Sequence, residues 1–127
     1  MTTDRRQRLA RLVKLQERLK ELHEARRAAH LKEAAAAEAE AAELAGRLDA
    51  PDSLAALFPA LYHDRIARAL ARREKSLARA AEEATMVAAA GARADVAERA
   101  HTSAVRSHER AAEEKAVLEM LEHQRER

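Results

Sequence analysis

Helix breakers are scarce in this sequence, and most of them sit in one place. The 127 residues hold two glycines, Gly46 and Gly91, and two prolines, Pro51 and Pro59. Gly46, Asp49, Pro51, Asp52 and Ser53 cluster in AGRLDAPDSL, which reads as a helix stop followed by a restart. Pro59 follows six residues after Ser53 and removes another backbone donor. Gly91 stands alone in an alanine run and is expected to stay helical, at about 1 kcal/mol relative to alanine. The chain therefore divides into a first arm near 4–48, a corner near 49–59 and a second arm near 60–125. At the helical rise the arms are roughly 65 Å and 100 Å long, so the second overshoots the first.

Composition fits this division. The chain is 47% hydrophobic, but alanine supplies most of that figure, and alanine has little apolar surface to bury. Enrichment in Ala, Glu, Lys, Leu and Arg points to long helices or a coiled coil. The first arm carries Leu12, Leu15, Leu19 and Leu22, and the 3-4-3 spacing returns at Ala34, Ala37, Ala41, Leu44 and Leu48. Arg26 and His30 interrupt this seam, so a phase shift is expected between the two parts. The second arm carries Ile66, Leu70, Arg73, Leu77, Ala80, Ala84, Val87, Gly91 and Ala94. A weaker continuation runs through Ala97, Ala104, His108, Ala111 and Leu118.

Charge and side-chain size both favour pairing of the arms within one chain. Residues 28–53 hold two bases against six acids, and residues 54–80 hold six bases against two acids. Residues 1–27 hold nine bases against four acids, and residues 81–127 hold seven bases against ten acids. A fold-back at the corner lays opposite signs together, which helps select register. If facing residue numbers sum to about 110, Ala34 meets Leu77, Ala41 meets Leu70, Leu44 meets Ile66, Leu22 meets Ala88, Leu19 meets Gly91 and Leu15 meets the Ala94 region. The predicted fold is all-α: one elongated domain over 1–127, an antiparallel two-helix coiled-coil hairpin with a short kinked corner. A monomer is expected, with a homodimeric coiled coil as the alternative.

Few chemistries remain. There is no cysteine, hence no disulfide framework. The sequence holds no run of about 18 apolar residues, the length an ordinary membrane-spanning helix needs. The N-terminal MTTDRRQRLARLVKL lacks an apolar signal core, so a cytoplasmic location is expected. Two isolated glycines cannot make a phosphate loop. His23 and His30 are seven apart, as are His101 and His108, which is poor spacing for a helical two-histidine metal site. A two-helix hairpin offers no pocket to desolvate a catalytic carboxylate. No enzyme activity, metal or cofactor is expected. The basic stretches RRQRLARLVK (5–14) and RIARALARREK (65–75) have leucine at helical spacing and no aromatic among the bases. They read as docking faces rather than phosphate tracks, with a nucleic-acid or membrane-surface binder kept as an alternative.

The stretch LFPALYHDRI, 57–66, holds the only phenylalanine and the only tyrosine. Phe58, Tyr62 and Ile66 follow one another at four-residue spacing and form one strip just past the bend. The strip is either a plug closing the hairpin or an outward docking anchor, and both hold together if Phe58 plugs while Tyr62 and Ile66 dock.

The layout resembles the FliJ family of bacterial flagellar export and its virulence-secretion counterpart, the YscO-type stalk proteins. The resemblance covers nearly the whole chain: a first arm opening with LARLVKLQERL, a corner after about 50 residues, and a longer second arm ending in EEKAVLEMLEHQRER. Its most specific part is YHDRIARAL, 62–70, where Tyr62, Ile66, Arg68-Ala69 and Leu70 follow the family pattern. The resemblance implies a type III export component without direct membrane insertion, cytoplasmic and peripheral to the inner-membrane export apparatus. Implied partners are the hexameric export ATPase, the cytoplasmic domain of the export-gate membrane protein, and substrate chaperones. Nucleic acid is not among them. Carried onto this chain, the gate contact falls on Tyr62 and Ile66 with Phe58. The ATPase contact falls on Arg5, Arg6, Arg8, Arg11 and Lys14.

Overall fold

The structure is a computed structural model and describes residues 2–126, with side chains from Arg5 onward. Two long helices pack against each other, and no strand occurs among the described residues. Helix α1 spans Thr2–Asp49 and helix α2 spans Pro59–Arg125, with a single 3-10 turn at Leu54–Leu57 between them. The architecture is the all-α hairpin that the breaker pattern predicts. Gly46 and Gly91 both lie inside helices, and neither has a positive φ.

The corner is built by local chemistry. Ala50 precedes Pro51, whose ring disfavours helical backbone at the residue before it, so α1 stops at Asp49. A tight turn follows, with Ala50 N–H donating to Arg47 O at 3.2 Å and Ser53 N–H to Ala50 O at 3.3 Å. Ser53 caps the 3-10 turn, its Oγ accepting from Ala55 N–H at 3.1 Å. Phe58 leaves the turn with φ −133° and ψ 54°. Pro59 then opens α2, where its missing donor costs nothing and its fixed φ suits the helix. The Tyr62 N–H donates to Phe58 O at 3.3 Å. Ala55, fully buried, fills the inside of the corner. Phe58 is 59% exposed, so it does not plug the hairpin as the sequence suggests. A methyl group suffices where the chain turns this tightly.

The chain forms two compact units, Glu21–Ala88 and Met1–Lys20 with Ala89–Arg127. In the unit Glu21–Ala88, α1 buries Ala34, Ala37, Ala41 and Leu44, with His23, His30 and Leu48 half-buried. These positions keep one heptad phase, so no slip occurs at Arg26 and His30. Histidine itself occupies the seam there, while Arg26 is exposed. From α2, Ala69, Ser76 and Ala80 are buried, and Tyr62, Ile66, Arg73, Glu83 and Val87 are half-buried.

That pattern corrects part of the predicted second-arm seam. Ile66, Arg73, Ala80, Ala84 and Val87 hold their places, but two of the alternating positions move by one residue. Ala69 and Ser76 take the seam, while Leu70 and Leu77 lie at its edge, 36% and 41% exposed. Alanine on α1 leaves only shallow holes, and small residues opposite let the backbones approach closely. Each buried alanine methyl contributes about 0.8 kcal/mol.

The two helices of this unit run antiparallel. Arg72 pairs with Glu40, Arg73 Nη1 lies 3.8 Å from Glu38 Oε1, and His23 Nδ1 lies 2.5 Å from Glu83 Oε2. These pairs fall in the register expected from facing residues that sum to about 110.

In the unit Met1–Lys20 with Ala89–Arg127, α2 buries Ala90, Ala94 and Ala97. From α1, Arg6, Leu9, Val13, Gln16 and Leu19 are half-buried. Leu12 and Leu15 are 41% and 52% exposed, so of the leucines chosen from spacing these two form an edge beside the seam, while Leu19 stays in it. A Cβ built on Gly91 would sit 4.0 Å from Lys20 Cε, so the lysine stem covers the position expected for Leu19. From 109 to 125 every residue of α2 is exposed. Ala111 and Leu118, expected at the seam, are among them.

Candidate functional site

Two surfaces carry the residues singled out from sequence, and each lies within one unit. The first is at the bend. The 3-10 turn and the first turn of α2 leave Leu54, Leu57, Phe58 and Leu61 exposed by 73%, 69%, 59% and 54%. Four large apolar side chains within eight residues cannot all turn inward, because the turn has one inner position and Ala55 holds it. The result is an apolar cap on the outside of the bend, the kind of exposed patch that marks a docking site.

Tyr62 and Ile66 sit differently. Both are half-buried and in phase with the seam, so each offers a docking partner only part of its side chain. Phe58 and the pair Tyr62 and Ile66 thus exchange the places suggested by spacing. Beside them, Arg68 Nη2 reaches Asp64 Oδ2 at 2.9 Å across one helical turn. An exposed pair of that kind orients its side chains and adds about 0.3–0.5 kcal/mol. Leu54, Leu57 and Leu61 went unnoticed in the sequence. The signal that could have found them is their number, which exceeds what one corner can cover.

The second surface is the start of α1. Arg5, Arg8, Arg11 and Lys14 are exposed. Arg6 is half-buried and engaged with neighbouring groups, so it stands apart from the other four cations. The helical period separates it from Arg5 and Arg8 and turns it toward the seam.

The chemistry of the chain is otherwise sparse. Among the described residues no group of three His, Asp or Glu side chains gathers as a metal site would require. His23 engages Glu83, and His30 Nδ1 lies 3.8 Å from Glu33 Oε2. His63 and His123 are exposed. No described helix is long and apolar enough to cross a membrane.

Comparison with protein-family models, with curated proteins and with solved structures returns no match.

Proposed function

We propose that this chain is a non-enzymatic coupling protein of a bacterial type III protein export apparatus, flagellar or virulence-associated, acting in the cytoplasm beside the inner-membrane export machinery. In this reading the bend docks on the cytoplasmic domain of the export gate. The exposed bases of α1, Arg5, Arg8, Arg11 and Lys14, engage the hexameric export ATPase, and Arg6 supports them from the seam side. Substrate chaperones are a further partner class.

The observation that carries the reading is the apolar cap of Leu54, Leu57, Phe58 and Leu61, which nothing within Glu21–Ala88 covers. It adjoins YHDRIARAL, 62–70, the stretch for which the family resemblance implies a gate contact. A few well-buried anchors typically account for most of an interface's affinity. The half-buried Tyr62 and Ile66 then complete the contact at its edge.

The test measures binding of the full chain to a purified export-gate cytoplasmic domain, and stimulation of a purified export ATPase. Leu57→Ser with Phe58→Ser is expected to weaken gate binding by about tenfold or more, with helicity unchanged. Arg5, Arg8 and Arg11 exchanged for glutamate should lower ATPase stimulation and spare gate binding. A wild-type chain that binds neither partner overturns the proposal, and so does a cap variant that binds the gate as tightly as wild type.

A further inference from the structure

The unit Met1–Lys20 with Ala89–Arg127 leaves two apolar features without cover. One is a groove between the helices, lined by Leu9, Leu12 and Gln16 from α1 and by Arg93, Val96 and Ala100 from α2. Val96 is 64% exposed at its rim, and Gln16 Oε1 is buried with no hydrogen bond from the described residues. The other is the end of α2, where Val117, Leu118, Met120 and Leu121 are 54–64% exposed. At 3.6 residues per turn, Leu118 lies five turns beyond Ala100, so the end of α2 presents leucine on the side of the helix that borders the groove.

We infer that this groove takes the end of α2 from a second copy of the chain, and that the exchange is reciprocal. Three observations select that occupant. The first is charge. Residues 5–20 carry seven bases and one acid, whereas residues 109–122 carry five acids and two bases. The second is reach. Leu118 and Ala97 belong to one continuous helix, about 30 Å apart along its axis, so a chain cannot fill its own groove. The third is shape. With Val96 of each copy beside Leu118 of the other, the two α2 helices cross antiparallel about Ser107. The side chains on that face near the crossing are Ala100, Ser103, Ser107 and Ala111, all small enough for close approach of two helices. In the same register Glu114 comes level with the stretch of α1 that holds Arg8 and Arg11.

The interface is isologous, so each apolar end is used once and the assembly closes at two copies. It buries the edge beside the hairpin seam and leaves the seam itself intact. The monomer expected from sequence becomes the dilute form of a concentration-dependent dimer. The inference is independent of the export reading and holds or fails without it.

Sedimentation equilibrium of the full chain over a concentration series tests it. The wild-type mass should rise from the chain mass of 14.1 kDa toward twice that value. Leu118→Glu with Leu121→Glu should stay at the chain mass, as should Val96→Glu. An equimolar mixture of the two variants should associate more than either alone but less than wild type, because one of its two contacts joins an intact end to an intact groove. All three sites are exposed, so circular dichroism should show unchanged helicity. If it does not, Leu118→Ala with Leu121→Ala replaces the glutamates and should raise the midpoint concentration of association about tenfold. A wild-type chain at 14.1 kDa throughout overturns the proposal. So do variants that associate like wild type.

Discussion

The two units are made from the same pair of helices, yet they close their seams differently. In Glu21–Ala88 both helices contribute buried residues: Ala34, Ala37, Ala41 and Leu44 from α1, and Ala69, Ser76 and Ala80 from α2. In the other unit the buried residues are Ala90, Ala94 and Ala97, all from α2, and no residue of α1 from Arg5 to Lys20 is buried. The difference follows from side-chain size on α1. Alanine opposite alanine closes by backbone approach. Leucine, valine and glutamine opposite alanine find shallow holes and stay half-exposed. A seam closed from both helices leaves little apolar surface along its length, and a seam closed from one helix leaves the groove beside Leu9, Leu12 and Val96.

Four sets of substitutions probe that contrast. Leu44→Ala removes the one large side chain buried in the seam of Glu21–Ala88, where it is 4% exposed. A loss of about 2–4 kcal/mol is expected, read as a lower midpoint in urea unfolding. A loss below about 1 kcal/mol would show that this seam is no tighter than the other.

The pair of His23 and Glu83 comes next, with side chains 12% and 16% exposed. His23→Ala should cost about 1–3 kcal/mol by leaving the Glu83 carboxylate without its partner. His23→Leu combined with Glu83→Leu should be nearly neutral, since an apolar pair of similar bulk needs no hydrogen bond. A double variant as unstable as the single one would mean that the ring, rather than the pairing, supports the seam.

Glycine substitution acts in the opposite direction. Nothing lies within 4 Å of a Cβ built at Gly46, and at Gly91 the nearest atom is Lys20 Cε at 4.0 Å. Gly91→Ala, deep inside α2, should stabilise by about 1 kcal/mol, seen as a higher thermal midpoint. Gly46→Ala should give about half of that, because it lies in the last turn of α1 before Asp49, where helices fray. Destabilisation by either would mean that a close approach had been missed.

The smallest effect is expected at Leu15→Ala. Leu15 belongs to the leucine stripe most conspicuous in the sequence, yet it is 52% exposed. Its removal should change stability by less than about 0.5 kcal/mol. A loss near that of Leu44→Ala would restore the stripe as the seam and undo the contrast between the units.

Much of this was legible beforehand, and the misses share a cause. Breakers placed the corner correctly because Pro51 and Pro59 act through their own backbone geometry, which needs no tertiary context. Opposite charges on the two arms anticipated the antiparallel register, and Arg72 with Glu40 and Arg73 with Glu38 agree with it. Seam membership was harder. Leu70 and Ala69, like Leu77 and Ser76, are neighbours on the helix, and the 3-4 alternation accepts either. Ranking by hydrophobicity favours the leucines, whereas close helix approach favours the smaller residue. At the bend the same preference for size chose Phe58 as the plug, although the turn had room only for Ala55.

From sequence alone came the properties that depend on each residue's own conformational preferences: helix nearly throughout, one interruption, and opposite charge on the arms. Those preferences are local, so a linear text carries them. Which of two adjacent positions faces the partner helix is a collective choice. It minimises the gap between two backbones and therefore depends on every side chain along both of them. Only the folded pair decided that Ala69 and Ser76 lie inside while Leu70 and Leu77 lie at the edge, and that Phe58, Val96 and Leu118 remain exposed.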